Sequence, residues 1–142
     1  MPVERLVTFL NVDLELYGQF DRQALVKALG KSVVVLHEGR AANAPLVLEV
    51  TDVGLDVAKT LAQFLKLIQR LPKKARAAWD SAERRRFDIG IQGGKRPYST
   101  SWALSPELVA GLAACHAELA ITVYGAEGRN MATASSPKRV RR

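Results

Sequence analysis

The chain has 142 residues, 48% hydrophobic and 25% charged, with a formal net charge of +7, which predicts one ordinary globular domain with a sizeable core. Cys115 is the only cysteine, so an intrachain disulfide is excluded and a reducing compartment is favoured. Because the sequence has no apolar run of about 18 residues and no basic-then-apolar leader pattern, we expect a cytoplasmic protein without a membrane partner.

The first part of the chain predicts three strands and one short helix. Alternation over residues 10–17 predicts a strand whose polar face carries Asn11, Asp13 and Glu15. A short helix follows, with Asp21 as its N-terminal cap and Gly30 at its C-terminal end. Runs rich in β-branched residues at 32–38 and 46–50 predict two more strands, joined by a loop.

The middle of the chain predicts two helices. Residues 54–71 have an apolar stripe at helical spacing, formed by Val57, Leu61, Phe64, Leu65 and Ile68. Pro72 lacks the N–H group that a helix interior requires, so a second helix over residues 73–85 should begin after it. Arg84, Arg85 and Arg86 would then lie at the C-terminal end of that second helix, where cations complement the helix dipole.

The last third of the chain predicts two strands, then a helix and a final strand. Alternation marks strands at 87–92 and 98–104, separated by a Gly- and Pro-containing loop. Ser105 caps a helix with Pro106 at its first position, and Cys115 lies on the apolar stripe of that helix. A final strand covers residues 119–124, and residues 126–142 have the composition of a disordered basic tail.

These elements predict an α+β fold in a single domain over residues 1–125. Their order is β-α-β-β-α-α-β-β-α-β, in one mixed, largely antiparallel sheet of about six strands with helices on one face. The strand-helix-strand units at residues 8–38 and 98–124 have similar patterns and suggest a weak pseudo-repeat.

The C-terminal unit resembles a bacterial family named domain of unknown function 4279. The residues that carry the resemblance are Leu104, Ser105, Pro106, Glu107, Leu108 and Leu112, followed by the segment from Glu118 to Tyr124. The helix end at Leu29 and Gly30, followed by a strand, is similar to the first half of that family. The resemblance implies a bacterial protein and no particular reaction.

Acidic residues on the polar strand faces are the candidates for chemistry. Asp13 and Glu15 share one strand face, Asp88 lies on another, and His37 lies on a third strand. Carboxylates close together on an open sheet face can perform acid–base catalysis or hold a divalent cation. A solvated sheet face has the same sequence pattern and is the simpler explanation. The spacing of the two histidines and one cysteine matches no zinc motif, and we expect neither a metal nor a cofactor.

The positive charge is concentrated in the middle of the chain. Residues 66–96 contain 10 Lys and Arg against 3 Asp and Glu. The candidates for contacting an anion or a nucleic acid are Lys73, Lys74, Arg76, Arg84, Arg85, Arg86, Lys95 and Arg96. A solvated helix face accounts for the same charges, and both tryptophans fall on predicted inner faces instead of forming a stacking platform.

The sequence contains no nucleophile–base pair and no cofactor loop, so we expect a non-enzymatic binding or protein-interaction module. Its partner would be another protein, or a second copy of the same chain in a homodimer. One alternative is a small metal-assisted or acid–base enzyme that uses the sheet-face carboxylates. Another is non-specific nucleic-acid binding through residues 66–96.

Overall fold

The computed structural model describes residues 6–41 and 43–125. The strands of the described part are β1 (Thr8–Tyr17), β2 (Val33–His37), β3 (Leu46–Val50), β4 (Arg84–Gln92) and β5 (Glu118–Tyr124). The helices are α1 (Arg22–Leu29), α2 (Val57–Gln69), α3 (Lys73–Ser81) and α4 (Pro106–Ala114). A 3-10 turn at Gly30–Ser32 follows α1.

The five strands form one mixed sheet in the order β2-β3-β1-β4-β5. Only the pairing of β4 with β5 is parallel, and the other three pairings are antiparallel. The predicted α+β class and the mixed, largely antiparallel sheet are therefore confirmed. The polar and apolar residues of the central strand β1 alternate, so its two faces have opposite character.

The apolar face of the sheet carries the core. Val12, Leu14 and Leu16 of β1 are buried together with apolar residues of β4 and of all four helices. The predicted α2 stripe is buried in full, and the Phe64 ring packs 5.2 Å from that of Phe87 on β4. Burying each such side chain stabilises the fold by about 1.5–3 kcal/mol before ordering entropy is subtracted.

Side-chain caps fix where three helices begin. Asp21 accepts a hydrogen bond from the Ala24 N–H at the start of α1. Ser105 accepts one from the Leu108 N–H at the start of α4, as its sequence pattern predicts. For α2 the cap is Asp56, so this helix begins at Val57, three residues later than the predicted boundary at Gly54.

The predicted strand at residues 98–104 is wrong. This segment has no regular structure, so the described sheet has five strands instead of six. β5 pairs directly with β4 in parallel and occupies the edge that the extra strand would need. Tyr98 is fully exposed, while Trp102 and Leu104 pack against the core without joining the sheet. The second strand-helix-strand unit therefore starts at β4, and in the first unit β3 lies between β1 and β2.

The predicted end of the second central helix is also wrong. α3 ends at Ser81, and Ala82 is already extended. Arg84, Arg85 and Arg86 open β4, where they pair with Tyr17, Leu16 and Glu15 of β1. The ladder with β1 replaces the helical hydrogen bonds that these residues would otherwise make.

The predicted disordered tail at 126–142 lies outside the described residues. Within the described part, the helices are too short or too polar to cross a membrane.

Candidate functional site on the polar face of the sheet

The polar face of the sheet carries carboxylates that are buried. Alternation along β1 places Asp13 and Glu15 on the face opposite the core. In the ladder with β4, Asp13 lies directly opposite Asp88, and Glu15 lies opposite Arg86. Asp13 is 4% exposed, Glu15 7% and Asp88 9%. Charged side chains are seldom buried to this extent unless other groups compensate them.

A concave pocket lies over this face, and we call it the sheet-face groove. Its volume is about 760 Å³, which lies within the usual range for ligand sites of about 300–1,000 Å³. Its lining residues are Glu15, Tyr17, His37, Gly39, Arg40, Ala41, Ala44, Pro45, Val47, Arg86, Asp88, Thr122 and Tyr124. The loop between β2 and β3 forms one wall, and β4 and β5 contribute the opposite side.

Glu15 is held by a phenol and a guanidinium. The Tyr17 hydroxyl donates a hydrogen bond of 3.1 Å to Glu15 Oε1, and Arg86 Nε lies 3.8 Å from the same oxygen. Burial, reinforced by the charge of Glu15, raises the pKa of Tyr17, so the phenol stays protonated and keeps donating. Arg86 Nε is buried and has no hydrogen-bond partner in the described part of the chain. The ion pair between Arg86 and Glu15 is therefore loose.

Asp88 accepts a hydrogen bond from the neighbouring strand β5, and Asp13 accepts one from its own strand β1. Thr122 Oγ1 of β5 donates to Asp88 Oδ1 at 2.7 Å. Asn11 Nδ2 donates to Asp13 Oδ1 at 3.0 Å and also to Glu49 Oε2 of β3. Gly90 makes room for this amide, because a Cβ there would lie 2.7 Å from Asn11 Oδ1. The middle of the face thus holds four carboxylates, and Arg86 lies near one of them, Glu15.

His37 lies at the rim of the groove. It is exposed at the end of β2, opposite Val47 and just after an irregularity in the register. Three of the four predicted carboxylate and histidine candidates, Glu15, His37 and Asp88, therefore line one groove. The fourth, Asp13, is the cross-strand partner of Asp88. Among the residues that the structure describes, no three His, Cys, Asp or Glu side chains are placed to hold a metal ion.

The predicted basic residues occupy several separate surfaces. Lys73 and Lys74 are exposed at the start of α3, and Arg76 donates to the Ile68 carbonyl and pairs with Asp80. Lys95 and Arg96 lie beyond the far end of β4 from Arg84, and nine strand residues span about 30 Å. These positions form no continuous stripe.

The three arginines at the start of β4 are divided between the two faces. Arg85 points to the helix side, where it donates to the carbonyls of Trp79, Ala82 and His116. Arg84 lies over the Tyr17 ring and hydrogen-bonds Glu118 at 2.8 Å, which lowers the pKa of Glu118. Arg86 belongs to the groove, as described above.

The sequence did not identify Tyr17, Thr122 and Tyr124 as groove residues. Thr122 and Tyr124 alternate with aliphatic residues along β5, which was a usable signal for the polar face. The strand order that brings β5 beside β4 has no local signature in the sequence. Comparison of the chain with protein-family models, with curated proteins and with solved structures gives no match.

Proposed function

We propose that this protein is a non-enzymatic binding module whose sheet-face groove receives a cationic side chain of a partner protein. The observation that carries the proposal is the pair of Glu15 and Asp88. Both carboxylates are more than nine-tenths buried, yet both line a groove that opens to solvent.

The electrostatics of the groove favour a positively charged ligand. A buried carboxylate is costly unless hydrogen bonds and opposite charge compensate it. At Glu15 the compensation comes from one phenol and from a guanidinium 3.8 Å away. An ammonium or guanidinium group in the groove would add charge-assisted hydrogen bonds to Glu15 and Asp88. The rings of Tyr17 and Tyr124 line the same space and would favour a cation further.

A flat, solvated sheet face is the competing explanation. The wall formed by residues 39–41, 44 and 45 argues against it, because it gives the face depth. Arg22 anchors this wall by donating to the carbonyls of Glu38 and Ala44. The wall is therefore held by specific hydrogen bonds to α1.

The test is affinity capture from native-host extract at physiological salt with four forms of the protein. Wild type and Glu107→Gln, an exposed control on α4, should retain the same stoichiometric partner. Glu15→Gln and Asp88→Asn should each weaken its binding about ten- to a hundredfold, since hydrogen bonds to charged groups contribute about 1.5–3 kcal/mol. Acetylation of the partner's lysines should abolish binding if the inserted group is an ammonium.

Each variant is first checked by circular dichroism and thermal unfolding, so that a folding defect is not mistaken for lost binding. The proposal fails if no stoichiometric partner is recovered. It also fails if folded Glu15→Gln and Asp88→Asn both bind the partner as wild type does.

An acid–base enzyme is the second candidate, favoured by the register of Asp13 with Asp88. Side chains directly opposite in an antiparallel ladder have Cβ atoms about 4.5–5.5 Å apart. Two carboxylates at that separation can both reach one bound substrate, as acid–base catalysis requires. Turnover of a small-molecule substrate that is lost in both Asp13→Asn and Asp88→Asn would favour this candidate over the binding module.

We also propose that the protein is cytoplasmic and bacterial. Cys115 is buried and free, which is consistent with a cytoplasmic protein. The residues that resemble the domain of unknown function 4279 family form the Ser105 cap, α4 and β5. Membership of that bacterial family is a proposal based on this segment.

A further inference from the structure

The edge strand β5 has an uncovered apolar face. Its parallel register with β4 places Leu119, Ile121 and Val123 level with Phe87, Ile89 and Ile91 respectively. The β4 residues are 0%, 5% and 6% exposed, whereas the β5 residues are 43%, 68% and 62% exposed. Both sets point to the helix side of the sheet. The helical layer thus covers β4 and stops short of β5.

The helix that precedes β5 in the chain also carries exposed apolar side chains. α4 is buried against the core through Leu108 and Leu112. Its exposed side chains include Val109, Ala110 and Ala113, none of which is charged. Large contiguous apolar patches on a protein surface mark interaction sites.

We propose that a second copy of this chain pairs antiparallel with β5, about a two-fold axis at Ile121. In that register Ile121 faces Ile121 of the second copy, and Leu119 faces Val123. On the polar side, Ala120 faces Thr122. The strand is thus self-complementary in apolar pattern, as a two-fold interface requires. The two sheets would join into one sheet of ten strands with both helical layers on the same side.

The charges along β5 are compatible with its pairing to β5 of a second copy. Residues 119–124 carry no formal charge, so the pairing brings no like charges face to face. Glu118, at the end of the strand, is already paired with Arg84 of its own chain. In the proposed register Glu118 faces Tyr124 of the second copy, so the two Glu118 carboxylates stay about six residue steps, or 20 Å, apart.

The C-terminal segment of the chain is a poorer occupant. Residues 126–142 contain only Met131 and Val140 as large aliphatic residues, with five Lys and Arg against one Glu. Such a segment offers little apolar area to cover three aliphatic side chains.

The opposite edge of the sheet is less suited to pairing. β2 is five residues long and its register is irregular between Val35 and His37. Short edges with bulges are a common protection against strand addition. β5 pairs over seven residues without irregularity, and neither Lys nor Pro interrupts it.

The first test is the mass of the purified protein in solution, by light scattering and sedimentation at several concentrations. We expect a dimer whose dissociation follows mass action. Ile121→Lys should raise the dissociation constant at least about a hundredfold, because it removes two apposed aliphatic side chains and places two ammonium groups together. Val34→Lys is the matched control. It changes a half-exposed β-branched residue on the other edge strand and should leave the dimer intact.

The second test checks the register through disulfide formation. Residues opposite each other in an antiparallel pair have Cα atoms about 4.5–5.5 Å apart, within disulfide reach. Ile121→Cys should therefore give a cross-linked dimer on mild oxidation. Leu119→Cys should not, because its two thiols would be offset by about four residues, or 13 Å. The native Cys115 is buried and should stay reduced.

Three results would overturn the proposal. The first is a wild-type monomer at every concentration measured. The second is a dimer that dissociates in Val34→Lys and persists in Ile121→Lys. The third is a cross-link that forms through Leu119→Cys in preference to Ile121→Cys. All three are independent of whether the sheet-face groove binds a partner.

Discussion

Three consecutive arginines at the start of β4 have three different surroundings, because successive strand residues point to opposite faces of a sheet. Arg84 and Arg86 lie on the polar face, and Arg85 lies against the helices. Arg85 satisfies backbone carbonyls at the ends of α3 and α4 and stacks near the Trp79 ring. The sequence shows only a run of basic residues. The surroundings of each arginine depend on where α3 ends and β4 begins, which the sequence does not show.

We expect Arg85→Met to lower the free energy of unfolding by about 2–4 kcal/mol, because part-buried carbonyls lose a charged donor. Arg84→Met should stay near wild type, since Arg84 makes an exposed ion pair with Glu118. Urea unfolding of both variants, compared at equal m-values, checks this. Equal losses in the two variants would contradict the assignment. A binding defect in an Arg85 variant would accordingly need a stability control.

At the scale of elements, sequence periodicity was reliable where a pattern was long or capped. The five-residue stripe of α2 and the Ser105 cap of α4 were both predictable. The alternation over residues 98–104 was misleading, because Trp102 and Leu104 pack against the core, partly buried, from a loop. Periodicity reports which side chains face the core. It does not report whether the backbone has a strand partner.

The closeness of α2 and α4 depends on Gly111. A Cβ at this position would lie 2.6 Å from Leu65 Cδ1, and Leu65 is buried. Alanine would favour the helix by about 1 kcal/mol through propensity, but overpacking typically costs about 1–3 kcal/mol.

We therefore expect Gly111→Ala to destabilise the protein by about 1 kcal/mol in net terms. In a Leu65→Ala background the clash is absent, so the same substitution should become stabilising. A double-mutant cycle measured by thermal unfolding should give a coupling of at least about 0.5 kcal/mol. Additive effects would show that the two helices adjust without strain. Ala113→Gly, on the exposed side of α4, serves as a control for propensity alone.

At the scale of the whole molecule, the site depends on strand order. Alternation alone selected Asp13, Glu15 and Asp88 as candidates. It could not show that β1 lies next to β4, which is what places Asp13 opposite Asp88. The groove also needs its wall, and the β2–β3 loop has no sequence pattern that predicts its position. Contacts between distant parts of the chain therefore could not be predicted from the sequence, whereas most of the local elements could.

The distribution of charge gives a prediction about nucleic acids. The basic residues of segment 66–96 lie on separate surfaces, and several already bind acidic or carbonyl groups within the chain. We expect no mobility shift with DNA or RNA at 150 mM salt, and at most a weak one near 50 mM, because few phosphates would be neutralised together. A complex that persists at 150 mM and is lost in Lys73→Glu/Lys74→Glu, but not in Lys95→Glu, would instead support a local nucleic-acid site on α3.

The central position of β1 has a consequence for how the protein is made. Leu14 pairs with Phe87, 73 positions further along the chain, and this ladder is the longest in the sheet. Until β4 has been synthesised, β1 has at most one neighbour, and its Phe87-facing edge is open. Folds dominated by such distant pairings fold more slowly than helical bundles of similar stability. We therefore expect the growing chain to be prone to aggregation in the interval between the synthesis of β3 and that of β4.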